Sequence, residues 1–132
     1  MIMRKIIFSI ITLSMISVFF DTTADSKTIN AYKSIYPSEA KEIMNTEKNI
    51  VILDVRTPGE YENCHIPNAV LISHTEINEK AEELIPDKQS KVLVYCQNGM
   101  RAISAAKRLV KLGYTNVCVF GGIINWEYET VK

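Results

Sequence analysis

The chain has 132 residues with 15 basic and 15 acidic side chains, 47% apolar positions and 23% charged positions. This length suits one globular domain, and the balanced charge leaves no basic stripe that would indicate a nucleic-acid partner. No heptad pattern or internal repeat indicates a fibre or a repeat array.

The N-terminal segment has the pattern of an export signal. Arg4 and Lys5 precede Ile6–Phe20, a run that is apolar apart from Ser and Thr. The run is shorter than the roughly 20 residues that span a bilayer as a permanent helix. It predicts a signal peptide over residues 1–24, cleaved after Ala24, with an uncut membrane anchor or a buried helix as alternatives. We therefore expect an exported protein, periplasmic or extracellular, or membrane-tethered if the signal is not removed.

Residues 25–132 are predicted to form a single domain. Without the leader, 13 basic and 14 acidic side chains leave a formal charge of −1, which favours neither a membrane surface nor a polyanion as partner. The three cysteines, Cys64, Cys96 and Cys118, form no C-x-x-C pair, and the two histidines do not complete a zinc site. We expect no metal and no organic cofactor. An odd number of thiols in an exported chain indicates a thiol with a function or an intermolecular bridge.

Alternating strands and helices predict an α/β fold. Runs rich in β-branched residues, typical of buried strands, are Ile50–Val55, Lys91–Cys96 and Asn116–Phe120, with weaker candidates at Ala69–Ile72 and Tyr32–Ile35. Such alternation builds a parallel sheet flanked by helices on both faces. Ligands bind such sheets beyond the carboxyl ends of the strands, so the strand-to-helix turns are the candidate sites.

Helical periodicity fills the intervals between these strands. Apolar residues spaced for one helix face predict helices over Thr75–Ile85, before a proline, and over Ala102–Leu112. Gly113 stands where a left-handed residue commonly ends a helix. Ser38 is expected to cap a further helix, and Ile123–Tyr128 is expected to form a last short one.

One turn joins a strong strand to a strong helix with a reactive side chain at the junction; its sequence is Cys96-Gln97-Asn98-Gly99-Met100-Arg101. The Cys96 thiol faces a helix N-terminus, where unpaired N–H groups and the helix dipole favour an anion, so we expect a reactive thiolate. Gly99 lets successive amides converge on the sulfur or on an anionic substrate, and Arg101 adds a fork-shaped positive charge. An inert buried cysteine is the alternative.

Three segments together resemble the rhodanese-like single-domain sulfurtransferases. The turn is similar to the family's C-x-x-x-x-R loop. Asp54–Ala69 carries D-V-R, E-Y and H-I-P-N-A, which resemble the family's D-V-R-x-x-x-E-[FY]-x-x-G-H-I-x-G-A segment. Gly113–Trp126 resembles its closing segment with G-[YF], a Gly-Gly pair and a tryptophan. The three segments stand in family order and span Val51 to Trp126.

The resemblance implies a five-stranded parallel sheet and a double-displacement reaction. Cys96 would take a sulfane sulfur from a donor such as thiosulfate, become a persulfide, and pass the sulfur to cyanide or to a thiol. The residues that would bind the anionic donor are Gln97, Asn98, Gly99, Met100 and Arg101. In the family a six-residue loop accompanies sulfur transfer, whereas the phosphatase relatives have one residue more.

Several residues near this turn keep two interpretations. Asp54 and Arg56 leave a strand at the functional edge of the sheet and either support the active loop or make structural contacts, with Arg56 paired to Glu60. Cys64 replaces a family Gly or Ser, and is either an exposed spare thiol or the partner of Cys96 in a redox disulfide.

Other residues receive structural interpretations. Asn68 replaces a common family Gly and is expected to tolerate positive φ. Cys118 is expected in the core because it alternates with buried valines. His65 resembles a packing residue of the family, and Trp126 and Tyr128 are expected to be core or rim aromatics.

The leading interpretation is a monomeric sulfurtransferase with a small anionic sulfur donor and a thiol or protein acceptor. Three rivals remain: a sulfur-carrier or docking module that turns over poorly alone, a thiol oxidoreductase that uses Cys64 with Cys96, and an oxyanion enzyme such as a phosphatase or arsenate reductase. The shorter loop disfavours the last of these.

Overall fold

The computed structural model describes residues 31–132, so the predicted leader lies outside the described residues. The strands are β1 (Tyr32–Ser34), β2 (Ile50–Asp54), β3 (Val70–Leu71), β4 (Lys91–Cys96) and β5 (Val117–Gly122). They form one sheet in the order β1-β5-β4-β2-β3, and all neighbouring strands are parallel. The predicted α/β fold with a five-stranded parallel sheet is confirmed.

The helices are α1 (Pro37–Thr46), α2 (Pro58–Asn63), α3 (Ile77–Leu84) and α4 (Met100–Lys111), with 3-10 turns at His74–Glu76 and Ile123–Asn125. Side chains that alternate along the strands bury two separate apolar clusters, one on each face of the sheet. Ala105 and Leu109 of α4 join one cluster and Ala40 of α1 joins the other. Helices therefore cover both faces, as predicted.

Two helix boundaries differ from the prediction. Tyr36, not Ser38, is the N-cap of α1, because Pro37 occupies the first turn. Proline suits this position, since its φ is already helical and its missing N–H would lack a partner there. The last segment forms only the 3-10 turn, which ends at Trp126 in extended conformation, so no helix continues to Tyr128.

Helix α2 was not predicted, although its sequence carries a start signal. Thr57 and Glu60 form a capping box: each side chain bonds the other residue's backbone N–H. Pro58 occupies the first turn, as in many helices. The helix buries none of its residues, so this cap rather than an apolar face begins it.

Two predicted backbone conformations are confirmed. Gly113 follows α4 with φ 97°, and Asn68 has φ 66°. Between residues 31 and 132, no helix is long and apolar enough to cross a membrane. Within the same range, no three His, Cys, Asp or Glu side chains cluster so that they could hold a metal ion.

Candidate active site

Cys96 is the last residue of β4 and its side chain is fully buried. Its Sγ accepts a hydrogen bond of 3.0 Å from the backbone N–H of Gly99. Gly99 is the N-cap of α4 and has φ 103°, a left-handed conformation that favours glycine. The sulfur therefore lies at the N-terminus of a 12-residue helix, where the amide and the helix dipole both stabilise negative charge.

The loop amides do not all point at the sulfur. The N–H of Met100 donates to Oδ1 of Asn98 at 3.2 Å, so Asn98 turns this amide away from Cys96. Gln97, Asn98 and Met100 are exposed, while Gly99 is buried. The predicted loop residues thus lie in one turn. Of the two amides at the start of α4, that of Gly99 donates to the sulfur and that of Met100 does not.

The end of β5 forms the support beneath this loop. Gly122 is paired with Cys96 across the sheet, and a Cβ atom on Gly122 would overlap the carbonyl oxygen of Gln97 and lie 2.6 Å from Cα of Asn98. The N–H of Ile124 donates to the same Gln97 oxygen at 3.3 Å. Gly122 is therefore a positioning residue, which sequence reasoning recognised only as part of a family segment.

A bulge brings Gly122 to this place. Between two matched pairs of the β4–β5 ladder, β5 contributes Phe120 and Gly121 where β4 contributes only Tyr95. Gly121 takes φ 92° there, which an L side chain rarely adopts. Both positions of the Gly-Gly pair thus require glycine, Gly121 for its backbone conformation in the bulge and Gly122 for its close contact with the loop.

Arg101 forms a two-pronged ion pair with Glu60, whose side chain comes from α2. Both terminal guanidinium nitrogens donate to the carboxylate, one to each oxygen, at 2.8 Å. The two side chains are 27% and 31% exposed. The expected pairing of Arg56 with Glu60 is therefore wrong: Glu60 is engaged by Arg101 and by its own capping partner Thr57.

The charges of this pair are strongly stabilised. Hydrogen bonds from Arg101 lower the pKa of Glu60 to about 2, against the opposing effect of burial and with help from Thr57. The same bonds raise the pKa of Arg101, and burial opposes them. Negative charge at Cys96 would raise the pKa of Arg101 as well.

A second ion pair, fully buried, braces the carboxyl end of β2. Arg56 Nη2 lies 2.7 Å from Asp54 Oδ2, and the Arg56 N–H donates to Oδ1 at 2.9 Å. Tyr95 Oη donates to Asp54 at 2.7 Å and accepts from the N–H of Ile66 at 3.1 Å. Arg56 also donates to the carbonyl of Cys64 at 2.7 Å. This network links β2 to Tyr95, the residue immediately before Cys96.

Burial shapes the acid–base behaviour of this network. Burial alone lowers the pKa of Arg56, but the hydrogen bond and charge of Asp54 outweigh it and raise the value. Burial and the Asp54 charge raise the pKa of Tyr95, so the phenol stays protonated and continues to donate.

The rhodanese-like domain family model matches residues 36–129, a span that includes β2, α2, the Cys96–Arg101 loop and the Gly-Gly pair. The chain belongs to this family. This rhodanese-like domain is 39% identical over 97 residues to a thiosulfate sulfurtransferase of Coxiella burnetii, GlpE, an alignment that covers 73% of this chain and 88% of the relative. It is 37% identical over 80 residues to the Escherichia coli thiosulfate sulfurtransferase PspE, covering 61% and 77% of the two chains.

A solved structure described as rhodanese with anions from E. coli is also similar to this rhodanese-like domain. The two superpose with a TM-score of 0.60 at 34% identity, and the match covers 63% of this chain and 98% of the other. The sequence-based resemblance to the family is therefore confirmed.

The two remaining cysteines of this rhodanese-like domain differ in setting. Cys118 lies in the core of β5, as predicted, and burial raises the pKa of its thiol. Cys64 follows α2 and is half-buried rather than an exposed thiol. Both, like Cys96, are free thiols. Nearby, the rings of Tyr61 and His65 stack at 3.7 Å, which supports a packing role for His65.

An apolar groove of about 680 Å³ lies on the β5 side of the loop. Its walls include exposed side chains from three places: Tyr36 before α1, Met100 and Ile103 of α4, and Tyr128 of the C-terminal segment. Tyr36 and Met100 are 78% and 74% exposed. The loop that holds Cys96 therefore borders apolar surface on one side and the Arg101–Glu60 ion pair at its other end.

Proposed function

We propose that this rhodanese-like domain is a sulfurtransferase that moves a sulfane sulfur from a donor such as thiosulfate to a thiophilic acceptor through a persulfide on Cys96. The observation that carries the proposal is the contact of Cys96 Sγ with the Gly99 amide at the N-terminus of α4. A thiolate held in this way is a nucleophile, and the same positive environment stabilises a persulfide anion. The similarity to two thiosulfate sulfurtransferases supports the reaction class.

The reaction proceeds in two displacements and needs no cofactor. In the first, the Cys96 thiolate attacks the outer sulfur of thiosulfate, the sulfur–sulfur bond of the donor breaks, and sulfite leaves with the electron pair. In the second, cyanide or an acceptor thiolate attacks the outer sulfur of the persulfide, and the Cys96 thiolate is the leaving group. Thiocyanate or an acceptor persulfide is released, and the enzyme returns to its starting state.

Arg101 and the loop supply the anion site in this proposal. The guanidinium orients the sulfonate end of the donor, while Gln97, Asn98, Gly99 and Met100 shape the loop around it. The six-residue loop from Cys96 to Arg101 favours sulfur transfer over phosphatase chemistry. Asp54 and Arg56 support the reaction indirectly, since their network holds Tyr95 next to Cys96.

A second candidate function is a sulfur carrier that passes its persulfide sulfur to one protein partner and turns over poorly with small acceptors. The observation that favours it is the groove beside the loop, with its exposed Tyr36 and Met100. Exposed apolar surface next to a reactive residue suits a partner that presents an apolar surface around its acceptor thiol. Turnover with cyanide at rates typical of enzymes distinguishes the enzyme from the carrier.

We further propose that the domain acts as a monomer outside the cytoplasm, after removal of residues 1–24. The basic pair followed by an apolar run supports export. N-terminal sequencing of the protein recovered from a native host tests this directly, and a start at Asp25 is the expected result. Light scattering of the same sample tests the monomer.

The test of the proposed function is thiocyanate formation from thiosulfate and cyanide. We expect activity in the native chain, none in Cys96→Ser, and near-native activity in the matched variant Cys64→Ser. Loss of activity in Cys64→Ser would instead favour the oxidoreductase in which both cysteines act. Cys96-dependent hydrolysis of an aryl phosphate, without thiocyanate formation, would favour the oxyanion enzyme.

A further inference from the structure

We infer that Glu60 is a specificity-determining residue that weakens the binding of doubly charged sulfur donors and so favours donors with a single negative charge, such as organic persulfides. The inference rests on the proposed sulfurtransferase function, and it concerns which donor the same site accepts. Glu60 does not touch the sulfur; it acts through the guanidinium that would hold the donor.

The first observation is that Arg101 is already occupied. Both of its terminal nitrogens donate to Glu60 at 2.8 Å, which is the two-pronged geometry that a sulfonate or carboxylate would otherwise use. Glu60 is itself fixed, because its Oε1 also accepts from the hydroxyl and N–H of Thr57 at 3.1 and 3.3 Å. An anionic donor must therefore compete with a carboxylate that is held in place.

The second observation is the charge balance around the loop. Arg101 is paired with Glu60, and the other nearby guanidinium, Arg56, is paired with buried Asp54 at 2.7 Å. These two cations and two anions sum to zero, so the four side chains offer no uncompensated positive charge to a dianion. What remains is the amide and dipole of α4, which correspond to about half an elementary charge and which, in the proposed mechanism, already face the Cys96 thiolate. Such a field suits one negative charge better than two.

Removal of the Glu60 charge has a calculable signature. Because the interaction of a fixed charge with a ligand scales with the ligand's charge, a dianion gains twice the free energy that a monoanion gains. We expect Glu60→Gln to lower the thiosulfate concentration that gives half-saturation about tenfold. The corresponding concentration of an alkyl persulfide should fall about threefold. Glutamine keeps the capping box of α2, so the variant should stay folded at the assay temperature although it loses the stability of the ion pair.

The experiment measures the rate of Cys96 persulfide formation by quenched intact-mass analysis as a function of donor concentration, for thiosulfate and for a freshly prepared alkyl persulfide. Glu62→Gln is the matched control, because Glu62 is an exposed residue of the same helix and the change in net charge is identical. The donor concentration for half-saturation of this variant should stay within about twofold of the native value. Glu60→Asp keeps the charge and should keep the native preference between donors.

Three results would overturn the inference. If Glu60→Gln raised the donor concentration for half-saturation or slowed the maximal rate, Glu60 would only hold Arg101 in a productive orientation. Equal shifts in Glu60→Gln and Glu62→Gln would mean that net charge alone matters. A binding experiment separates this inference from the proposed sulfur transfer. Calorimetry measures the affinity of thiosulfate for Cys96→Ser with and without Glu60→Gln, so the charge effect is seen without any transfer. Unchanged affinity between these two variants would also overturn the inference.

Discussion

Gly122 lies directly beneath Gln97, so close that a Cβ atom at position 122 would overlap the Gln97 carbonyl oxygen. The loop that carries Cys96 is therefore shaped by a residue from the neighbouring strand as well as by its own sequence. The bulge opposite Tyr95 and the left-handed Gly121 are what bring Gly122 to this position. The geometry of the candidate nucleophile depends on this glycine.

Gly122→Ala should displace the loop and reduce thiosulfate:cyanide activity at least tenfold, because backbone atoms of Gln97 and Asn98 cannot yield as a flexible side chain would. Steady-state kinetics measure the loss. Gly59→Ala is the matched control, since a Cβ there meets nothing within 4 Å, and it should keep native activity. Native kinetics in Gly122→Ala would show that the loop position does not govern the reaction.

Arg101→Ala should raise the KM for thiosulfate more than it changes the reactivity of the thiol. In the proposed mechanism the guanidinium makes a charge-assisted contact with the donor, and hydrogen bonds to charged groups contribute about 1.5–3 kcal/mol, or roughly ten- to a hundredfold in kcat/KM. Alkylation of Cys96 by uncharged iodoacetamide should change no more than about twofold. An equal fall in both rates would assign Arg101 to the sulfur rather than to the donor.

Asp54→Asn should destabilise the domain severely, because it leaves the buried Arg56 guanidinium without its charge partner. Breaking a buried pair in this way costs about 3–5 kcal/mol, which urea unfolding measures directly. Glu82→Gln provides the comparison: it removes an ion pair with Lys88 whose side chains are 60% and 42% exposed, and exposed pairs contribute about 0–1 kcal/mol. Similar losses in the two variants would contradict the bracing role.

The Arg101–Glu60 pair should make stability depend on pH in the acid range. The pKa of Glu60 falls from 4.5 to about 2 in the folded chain, so the folded state favours the ionised carboxylate. Its contribution to the free energy of unfolding is present above pH 4.5 and is lost as the pH falls towards 2. Urea unfolding of the native chain and Glu60→Gln at several pH values should show a difference that shrinks on acidification. A constant difference would contradict the shift.

Local signals in the sequence predicted most of the fold. Buried β-branched runs predicted β2, β4 and β5, while β3 and the edge strand β1 were only weaker candidates. The turn from Cys96 to Arg101 was recognised because strand, glycine loop and helix are consecutive. Helix α2 was missed even though Thr57 and Glu60 carry the capping-box pattern, since it lacks the apolar face on which the helix predictions rested. Ser38 was misassigned because a neighbouring proline also starts helices.

Contacts between distant segments could not be predicted in this way. Glu60 and Arg101 are 41 positions apart, and no periodicity indicates which of two arginines Glu60 will meet. The support of Gln97 by Gly122 likewise depends on the order of strands in the sheet and on one bulge. Both contacts arise from packing across the edge of the sheet, so the site's electrostatics required the structure.

The most direct test of the central claim is intact-mass spectrometry of the purified protein before and after thiosulfate, with Cys96→Ser alongside. We predict a gain of one sulfur atom in the native chain, its removal by cyanide, and no gain in the variant. Absence of the adduct, with instead a loss of two hydrogens on oxidation that requires Cys64, would contradict the persulfide mechanism and favour a disulfide.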